Sequence, residues 1–240
     1  MTRNLPKAIL IDLDDTILED SGVTLECWRE ACVACCAPKT GVDPDALLES
    51  IQKTRNWYWS NSARHRDGRL DLDRARQEVV SIALAGLNRD APALAEDIAR
   101  RYGAMREERI RPFPDAVETV RWLRARGHRL ALLTNGNAIS QRAKVDRFQL
   151  AELFHVILIE GELGFGKPDP RIYAMALDAL RASAEEAWIV GDNYEWEVVH
   201  PKRLGMTTVW VDVLGEGPPK HEVAPDRVIR TLSELRTLIA

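Results

Sequence analysis

Apolar positions along this chain follow two different rhythms. Short apolar runs at 8–11, 129–133, 155–159, 187–190 and 207–211 read as buried strands. Between the later runs, stretches 115–126, 139–148, 170–180 and 195–204 repeat their apolar positions every three or four residues and predict helices. Strands alternating with helices imply a parallel sheet, and right-handed crossovers place helices on both of its faces. The expected fold class is α/β, a doubly wound parallel sheet.

Residues 20–110 break the alternation. They carry helical patterns at 24–36, 44–59, 72–87 and 91–108 and no convincing strand. Pro112 and Pro114 close the stretch before the sheet pattern resumes. The expected organisation is a core formed by 1–19 and 111–240, with a helical insert at 20–110. The run Gly215-Glu216-Gly217-Pro218-Pro219 reads as a loop, and 232–239 as a short surface helix. No internal repeat or low-complexity tract is evident.

Composition narrows the function classes. The chain has 240 residues, 45% hydrophobic and 29% charged, enough to bury a sizeable core. Its formal net charge of -4 argues against a nucleic-acid surface or a basic membrane-binding face. No apolar stretch approaches a membrane span. Residues 1–7 run straight into the first strand, leaving no room for a signal peptide, so the expected location is cytoplasmic. The four cysteines, Cys27, Cys32, Cys35 and Cys36, lie in one helical stretch. Cys32, Cys35 and Cys36 share a helix face, read here as a packing face because no fourth metal ligand stands nearby.

The chemistry gathers at strand ends. The run 8–11 stops in Asp12-Leu13-Asp14-Asp15-Thr16. Carboxylates there are costly unless paired, hydrated or bound to a cation, and ligands of open α/β sheets sit at that edge. Later strands run into Thr134-Asn135-Gly136, into Gly164-Phe165-Gly166-Lys167-Pro168-Asp169-Pro170, and into Gly191-Asp192-Asn193-Tyr194-Glu195-Trp196-Glu197. Parallel strands end on one edge, so Asp12, Asp14, Thr134, Lys167 and Asp192 are expected to converge. Asp12 and Asp192 can hold a hard cation such as Mg²⁺. The Thr134 hydroxyl can bind phosphate oxygens, and Lys167 can neutralise phosphoryl charge. A carboxylate so placed can attack phosphorus and form an aspartyl-phosphate. A second carboxylate two residues on can protonate the leaving oxygen and then deprotonate the attacking water.

These four motifs, in this order and over nearly the whole chain, resemble the haloacid dehalogenase superfamily of hydrolases. Motif one, Asp-x-Asp-x-Thr after a strand, is matched by Asp12-Leu13-Asp14-Asp15-Thr16. Motif two is matched by Thr134, motif three by Lys167, and motif four by Gly191-Asp192 with Glu197, Glu195 being a competing second acid. The resemblance implies Asp12 as nucleophile, Asp14 as general acid/base, and Thr134 and Lys167 holding the phosphoryl group. It implies Mg²⁺ on the Asp12 and Asp192 side chains and the Asp14 carbonyl. It also implies a Rossmann-like sheet of strand order 5-4-1-2-3 and a helical type-1 cap at 20–110 that closes over the site and selects small substrates. Family dehalogenases lack the second aspartate, so Asp14 favours phosphate ester hydrolysis. A phosphomutase, which keeps both aspartates, and a dehalogenase are the enzymatic alternatives. A phospho-accepting signalling protein is a further one, opposed by Asp14 and by the large insert.

Several residues carry two readings. Thr134 or Asn135 could cap the helix starting near Ala138, and Asn135 could instead donate to the phosphoryl group or order the loop. Asp15 reads as solvated or as a helix cap, and Asn193 as a turn residue or a contact to metal-bound water. The segment 56–66, aromatic then basic, joins two helices. Arg64, His65 or Arg66 could bind an anionic substrate group there, or be solvated while Trp57 and Trp59 pack into the core. His128, His155 and His200 read as structural or surface groups, and Trp196 as helix packing. The expected partner is a small phosphorylated metabolite, without nucleic acid or membrane, and the expected assembly a monomer or homodimer.

Overall fold

The structure is a computed structural model that describes residues 5–36, 40–220 and 223–240. Residues 1–4, the head of the 1–7 run, lie outside the described residues, as do 37–39 and 221–222. In chain order the elements are β1 (Ala8–Ile11), β2 (Leu18–Glu19), α1 (Thr24–Cys35), α2 (Pro44–Trp59), α3 (Ser62–Leu70), α4 (Leu72–Gly86), α5 (Pro92–Arg109) and β3 (Arg111–Pro112). Then follow α6 (Ala116–Ala125), β4 (Arg129–Thr134), α7 (Ala138–Arg147), β5 (Val156–Ile159), α8 (Glu160–Leu163), α9 (Pro170–Ala179) and β6 (Ala187–Gly191). A π-helical turn at Tyr194–Val199 leads to α10 (His200–Arg203), β7 (Thr207–Val211), β8 (Arg227–Ile229) and α11 (Leu235–Ile239). The chain divides into two compact units, Met1–Glu19 with Arg111–Ala240, and Asp20–Ile110.

The first unit is built on a six-stranded sheet of order β5-β4-β1-β6-β7-β8, parallel throughout. All four residues of β1 are apolar and fully buried, as a central strand covered on both faces requires. Its register sets Ile11 beside Leu132 of β4 and Val190 of β6. The chain therefore leaves the sheet at Asp12 level with Leu133, one residue before Thr134, and with Gly191. On one face Leu10, Ala131, Leu133 and Ile189 pack with Ile172, Tyr173 and Ala176 of α9. That helix opens on Pro170 behind an Asp169 carboxylate that accepts from the Arg171 N–H.

Four features depart from the pattern-based expectation. Edge strand β8 was not anticipated: it has three residues, and only Ile229 is buried. The two-residue antiparallel pair β2 and β3 is equally too short to show a period. The stretch 195–204 is not one α-helix, because Pro201 has no N–H to return to the Glu197 carbonyl, and the wide turn fills the gap before α10. The 232–239 segment is helical, as a 3₁₀ turn and then α11, but Leu232, Leu235 and Ile239 are buried, so it packs rather than lies free on the surface.

The second unit is helical, with Trp28, Ile51, Val80, Ile98 and Tyr102 in its core. Trp28 and Tyr102 stack with ring centroids 3.7 Å apart and planes 9° from parallel. Segment 56–66 is the end of α2 and the start of α3 rather than a loop, because the Asn61 side chain accepts from the Ala63 and Arg64 N–H groups and starts a new helix. All four cysteines are free, with Cys27 and Cys32 buried in this core. Burial, with the neighbouring Cys36 and Cys35, pushes the Cys32 thiol up to about 12, which leaves it inert as a nucleophile. Among the described residues no helix is long and apolar enough to cross a membrane.

Candidate active site

The C-terminal edge of the sheet collects the motif residues of the first unit. Asp12 follows β1 directly and ties its N–H to the Val190 carbonyl at 3.0 Å. Lys167 reaches in from the loop between α8 and α9, and its ammonium, on a side chain only 1% exposed, donates to Asp12 Oδ1 at 2.5 Å and to Glu197 Oε1 at 2.7 Å. Thr134 ends β4 and is buried. Asp192 follows β6 and is half-buried, with its carbonyl accepting from Trp210 Nε1 at 2.7 Å.

Gly191 makes this convergence possible. A Cβ there would lie 2.4 Å from Glu197 Cγ and 2.9 Å from Asp12 Cβ. Gly166 has a similar role beside Lys167, where a Cβ would meet Asn135 Oδ1 at 2.4 Å.

The wide turn sends the two glutamates to different surroundings. Glu197 is 1% exposed and faces Lys167, whereas Glu195 is largely exposed and lies 3.0 Å from His200 Nε2. Asn193 serves as the cap of the turn, accepting from the Trp196 N–H at 3.2 Å. Trp196 packs as a helix residue and stands 5.9 Å from the Lys167 ammonium, with its carbonyl accepting from the Tyr173 hydroxyl.

Charge in this pocket is unbalanced. Burial alone would lower the Lys167 pKa, but Asp12 and Glu197 more than offset it, and the ammonium is held well above its usual range. Three acids face that one cation. Burial raises Asp12 despite Lys167. Burial, only partly offset by Lys167, brings Glu197 to about 7. Burial and repulsion from Asp12 and Glu197 bring Asp192 to about 9. Glu197 Oε2 is buried without a hydrogen-bond partner. An excess of crowded carboxylates that must hold protons to remain neutral is the environment a divalent cation satisfies. Among the described residues no three His, Cys, Asp or Glu side chains close around a single point. Asp12 and Asp192 are oxygen donors of the kind that suit Mg²⁺, which takes one or two carboxylates and keeps several waters.

Asp14 stands apart from this pocket on the same turn. Its Oδ1 accepts from Lys144 Nζ at 2.7 Å and its Oδ2 from Gln141 Nε2 at 2.9 Å. Asp15 is neither a helix cap nor simply solvated. It turns the chain in a left-handed conformation at φ 56°, its N–H donating to the Leu18 carbonyl at 2.7 Å.

Three sequence-derived site residues are engaged otherwise. Both ends of the Asn135 amide are bound to Lys167, Nδ2 donating to its carbonyl at 2.7 Å and Oδ1 accepting from its N–H at 2.8 Å. Asn135 thus holds the lysine loop, and Asn137, not Thr134 or Asn135, caps α7. Arg64 donates to the Trp57 and Tyr58 carbonyls and lies 3.9 Å over the Trp57 ring, closing the end of α2. Arg66 pairs with Asp67 in an exposed contact. Trp57 is half exposed rather than core, while Trp59 packs against the helical core. His128 is structural, its ring against the Pro6 carbonyl, and His155 Nδ1 accepts from the Leu130 N–H.

Gln141, Lys144 and Glu160 were not anticipated. Glu160 is buried, and its Oε2 accepts from the Gly136 N–H at 2.9 Å. Gln141 had one readable sign: it sits one turn before Val145, a polar residue in the buried stripe of α7.

A Rossmann-like sheet with an acidic centre around a buried lysine puts a polar site at the C-terminal edge of the strands, where ligands of α/β proteins bind. The chain belongs to the haloacid dehalogenase-like hydrolases: that family's model matches residues 6–198, and a related HAD-hydrolase-like model matches 164–235. It is 34% identical to the phosphoserine phosphatase of Thermus thermophilus, across 95% of this chain and 97% of that protein. It is 31% identical to a glyceraldehyde 3-phosphate phosphatase of Methanopyrus kandleri, across 85% of this chain and 82% of that one. A 2-haloacid dehalogenase from Pseudomonas syringae pv. Tomato DC3000 is similar in structure, with TM-score 0.65 and 28% identity over 98% of each chain.

Proposed function

We propose that this hydrolase is a Mg²⁺-dependent phosphomonoesterase acting on a small phosphorylated metabolite through an aspartyl-phosphate on Asp12. The observation that carries the reading is the pair of aspartates on one turn with separate surroundings. Asp12 is buried against Lys167. Asp14 lies at the half-buried edge, with each carboxylate oxygen bound by a different donor. A dehalogenase releases halide, which needs no proton, and would leave Asp14 idle. The two phosphatase relatives support the same choice.

Asp12 attacks phosphorus, and the ester P–O bond breaks with its electrons passing to the leaving oxygen. Asp14 gives that oxygen a proton. Water then attacks phosphorus, Asp14 takes its proton, and the bond to Asp12 breaks to release phosphate. Lys167 and Thr134 hold the phosphoryl oxygens, and Lys167 keeps Asp12 aimed. The Asp12 and Asp192 carboxylates and the Asp14 carbonyl would hold Mg²⁺, which would supply charge neutralisation for the transferring group. Residues 20–110 act as a type-1 cap that reads the leaving group. The enzyme works in the cytoplasm as a monomer or homodimer, without nucleic acid or membrane.

The test is phosphate release from a panel of small phosphate esters, with Mg²⁺ and with chelator, and halide release from 2-haloacids in parallel. Metal-dependent phosphate release is expected. Halide release without phosphate would replace this reading with a dehalogenase, and an isomerised sugar phosphate with a mutase.

A further inference from the structure

Helix α7 makes a second, unassigned contribution to the site. Gln141 and Lys144 lie three residues apart on α7 and so share a face. Gln141 is 3% exposed. Its Nε2 lies 2.5 Å from Thr134 Oγ1, 2.9 Å from Asp14 Oδ2 and 3.3 Å from the Asn135 carbonyl. A carboxylate and a carbonyl can only accept, so the amide nitrogen must face them and the orientation of this glutamine is fixed. Lys144 holds the other oxygen of Asp14 at 2.7 Å.

The two oxygens of one carboxylate are thus gripped by two donors from one helix, which fixes both the position of Asp14 and the rotation of its carboxyl plane. A carboxylate oxygen has two lone-pair directions, so one hydrogen bond to it does not by itself exclude a transferable proton. Gln141 also joins Asp14 to Thr134, tying the proton-carrying group to a phosphoryl-holding one.

We propose that Gln141 and Lys144 are positioning residues that aim Asp14 at the leaving oxygen. The proposal rests on the reading of Asp14 as the proton donor, and the experiment separates the two. Full-length Lys144→Met, Gln141→Leu, Lys144→Arg and Asp14→Asn are compared by kcat/KM on p-nitrophenyl, phenyl and methyl phosphate. This parameter reports events up to Asp12 phosphorylation, when the leaving oxygen needs its proton. p-Nitrophenolate leaves readily without a proton; phenolate and methoxide do not.

Aiming a general acid is a large part of its effect, so Lys144→Met and Gln141→Leu are expected to lose on the order of 10-fold more on phenyl and methyl phosphate than on p-nitrophenyl phosphate. Asp14→Asn should show the same selectivity more strongly, and Lys144→Arg should restore most of the loss. Lys144 is partly exposed, so Lys144→Met is expected to fold even if Gln141→Leu does not. Equal losses on all three esters in Lys144→Met, with Asp14→Asn selective, would overturn the positioning role. A non-selective Asp14→Asn would overturn the reading of Asp14 itself.

Discussion

Replacing Lys167 by methionine probes the electrostatic logic of the site most directly. The ammonium is fully buried, 2.5 Å from Asp12 and 2.7 Å from Glu197, and methionine keeps the length of the side chain without its charge. Removing one partner of a buried ion pair costs about 3–5 kcal/mol, because the other partner is left buried and uncompensated. For a protein of this size each kcal/mol lowers Tm by about 2–4 °C, which gives a fall of roughly 6–20 °C in chelator. The loss should depend on pH. Burial already holds Glu197 at about 7, so the folded state keeps a proton that the unfolded chain releases near its ordinary 4.5. Stability contributed through such a group falls as pH rises between those two values. Without the ammonium the folded value rises further, so the gap between Lys167→Met and the parent should widen from about pH 6 to about pH 8.5. Adding Glu197→Gln removes one of the stranded charges and should return about 0.5–3 kcal/mol of stability without returning activity. Scanning calorimetry in chelator, with phosphate release measured in Mg²⁺, tests both halves. A Lys167→Met protein melting with the parent at the higher pH, or a double variant less stable than the single one, would refute the reasoning.

Asp12→Asn should abolish phosphate release while leaving the circular dichroism spectrum unchanged; undiminished turnover would remove Asp12 as nucleophile. Burial and the neighbouring acids hold Asp192 at about 9, against its ordinary 3.8, so metal-free stability should fall as pH rises between those values. A cation replaces the proton there, and the Tm difference between Mg²⁺ and chelator should widen from about pH 6 to about pH 9, by up to about 1.4 kcal/mol per pH unit for one proton; a constant difference would count against Asp192 as a ligand. Gly191→Ala would press a methyl group to 2.4 Å from Glu197 Cγ and 2.9 Å from Asp12 Cβ. The overpacking should cost about 1–3 kcal/mol in a denaturant titration, and the displaced carboxylates should lower kcat well beyond what that stability loss explains.

What the sequence shows and hides about this molecule follows from the range of each interaction. The sheet is legible because β1, β4, β6 and β7 are buried strands, and burial writes itself into consecutive residues. The placement of Asp12, Thr134 and Asp192 at one edge is legible because each directly follows or ends such a run, and the ends of parallel strands share an edge; Lys167 comes from beyond β5 and α8 and is not placed by that rule. Strand β8 and the β2–β3 pair are not legible, since two or three residues carry no period. The choice of Glu197 over Glu195 depends on a wide turn, which appears only once Pro201 is seen to withhold a donor from the carbonyl of Glu197.

Arg64 and Asn135 share a feature. Both are polar residues beside promising motifs, and in both a main-chain carbonyl takes the side chain, that of Tyr58 for Arg64 and that of Lys167 for Asn135. The grip on Asp14 is the opposite case. Gln141 and Lys144 are 127 and 130 residues away from it and belong to no strand-end motif. Only the docking of α7 brings them there. Yet the sign was present one turn before Val145, where an amide occupies a buried position of an otherwise ordinary helix. A buried amide must be satisfied, so the question that leads from sequence to this part of the site is which acceptors wait for it. The structure answers with Asp14 and Thr134, the groups that the proposed chemistry needs to hold in a fixed relation.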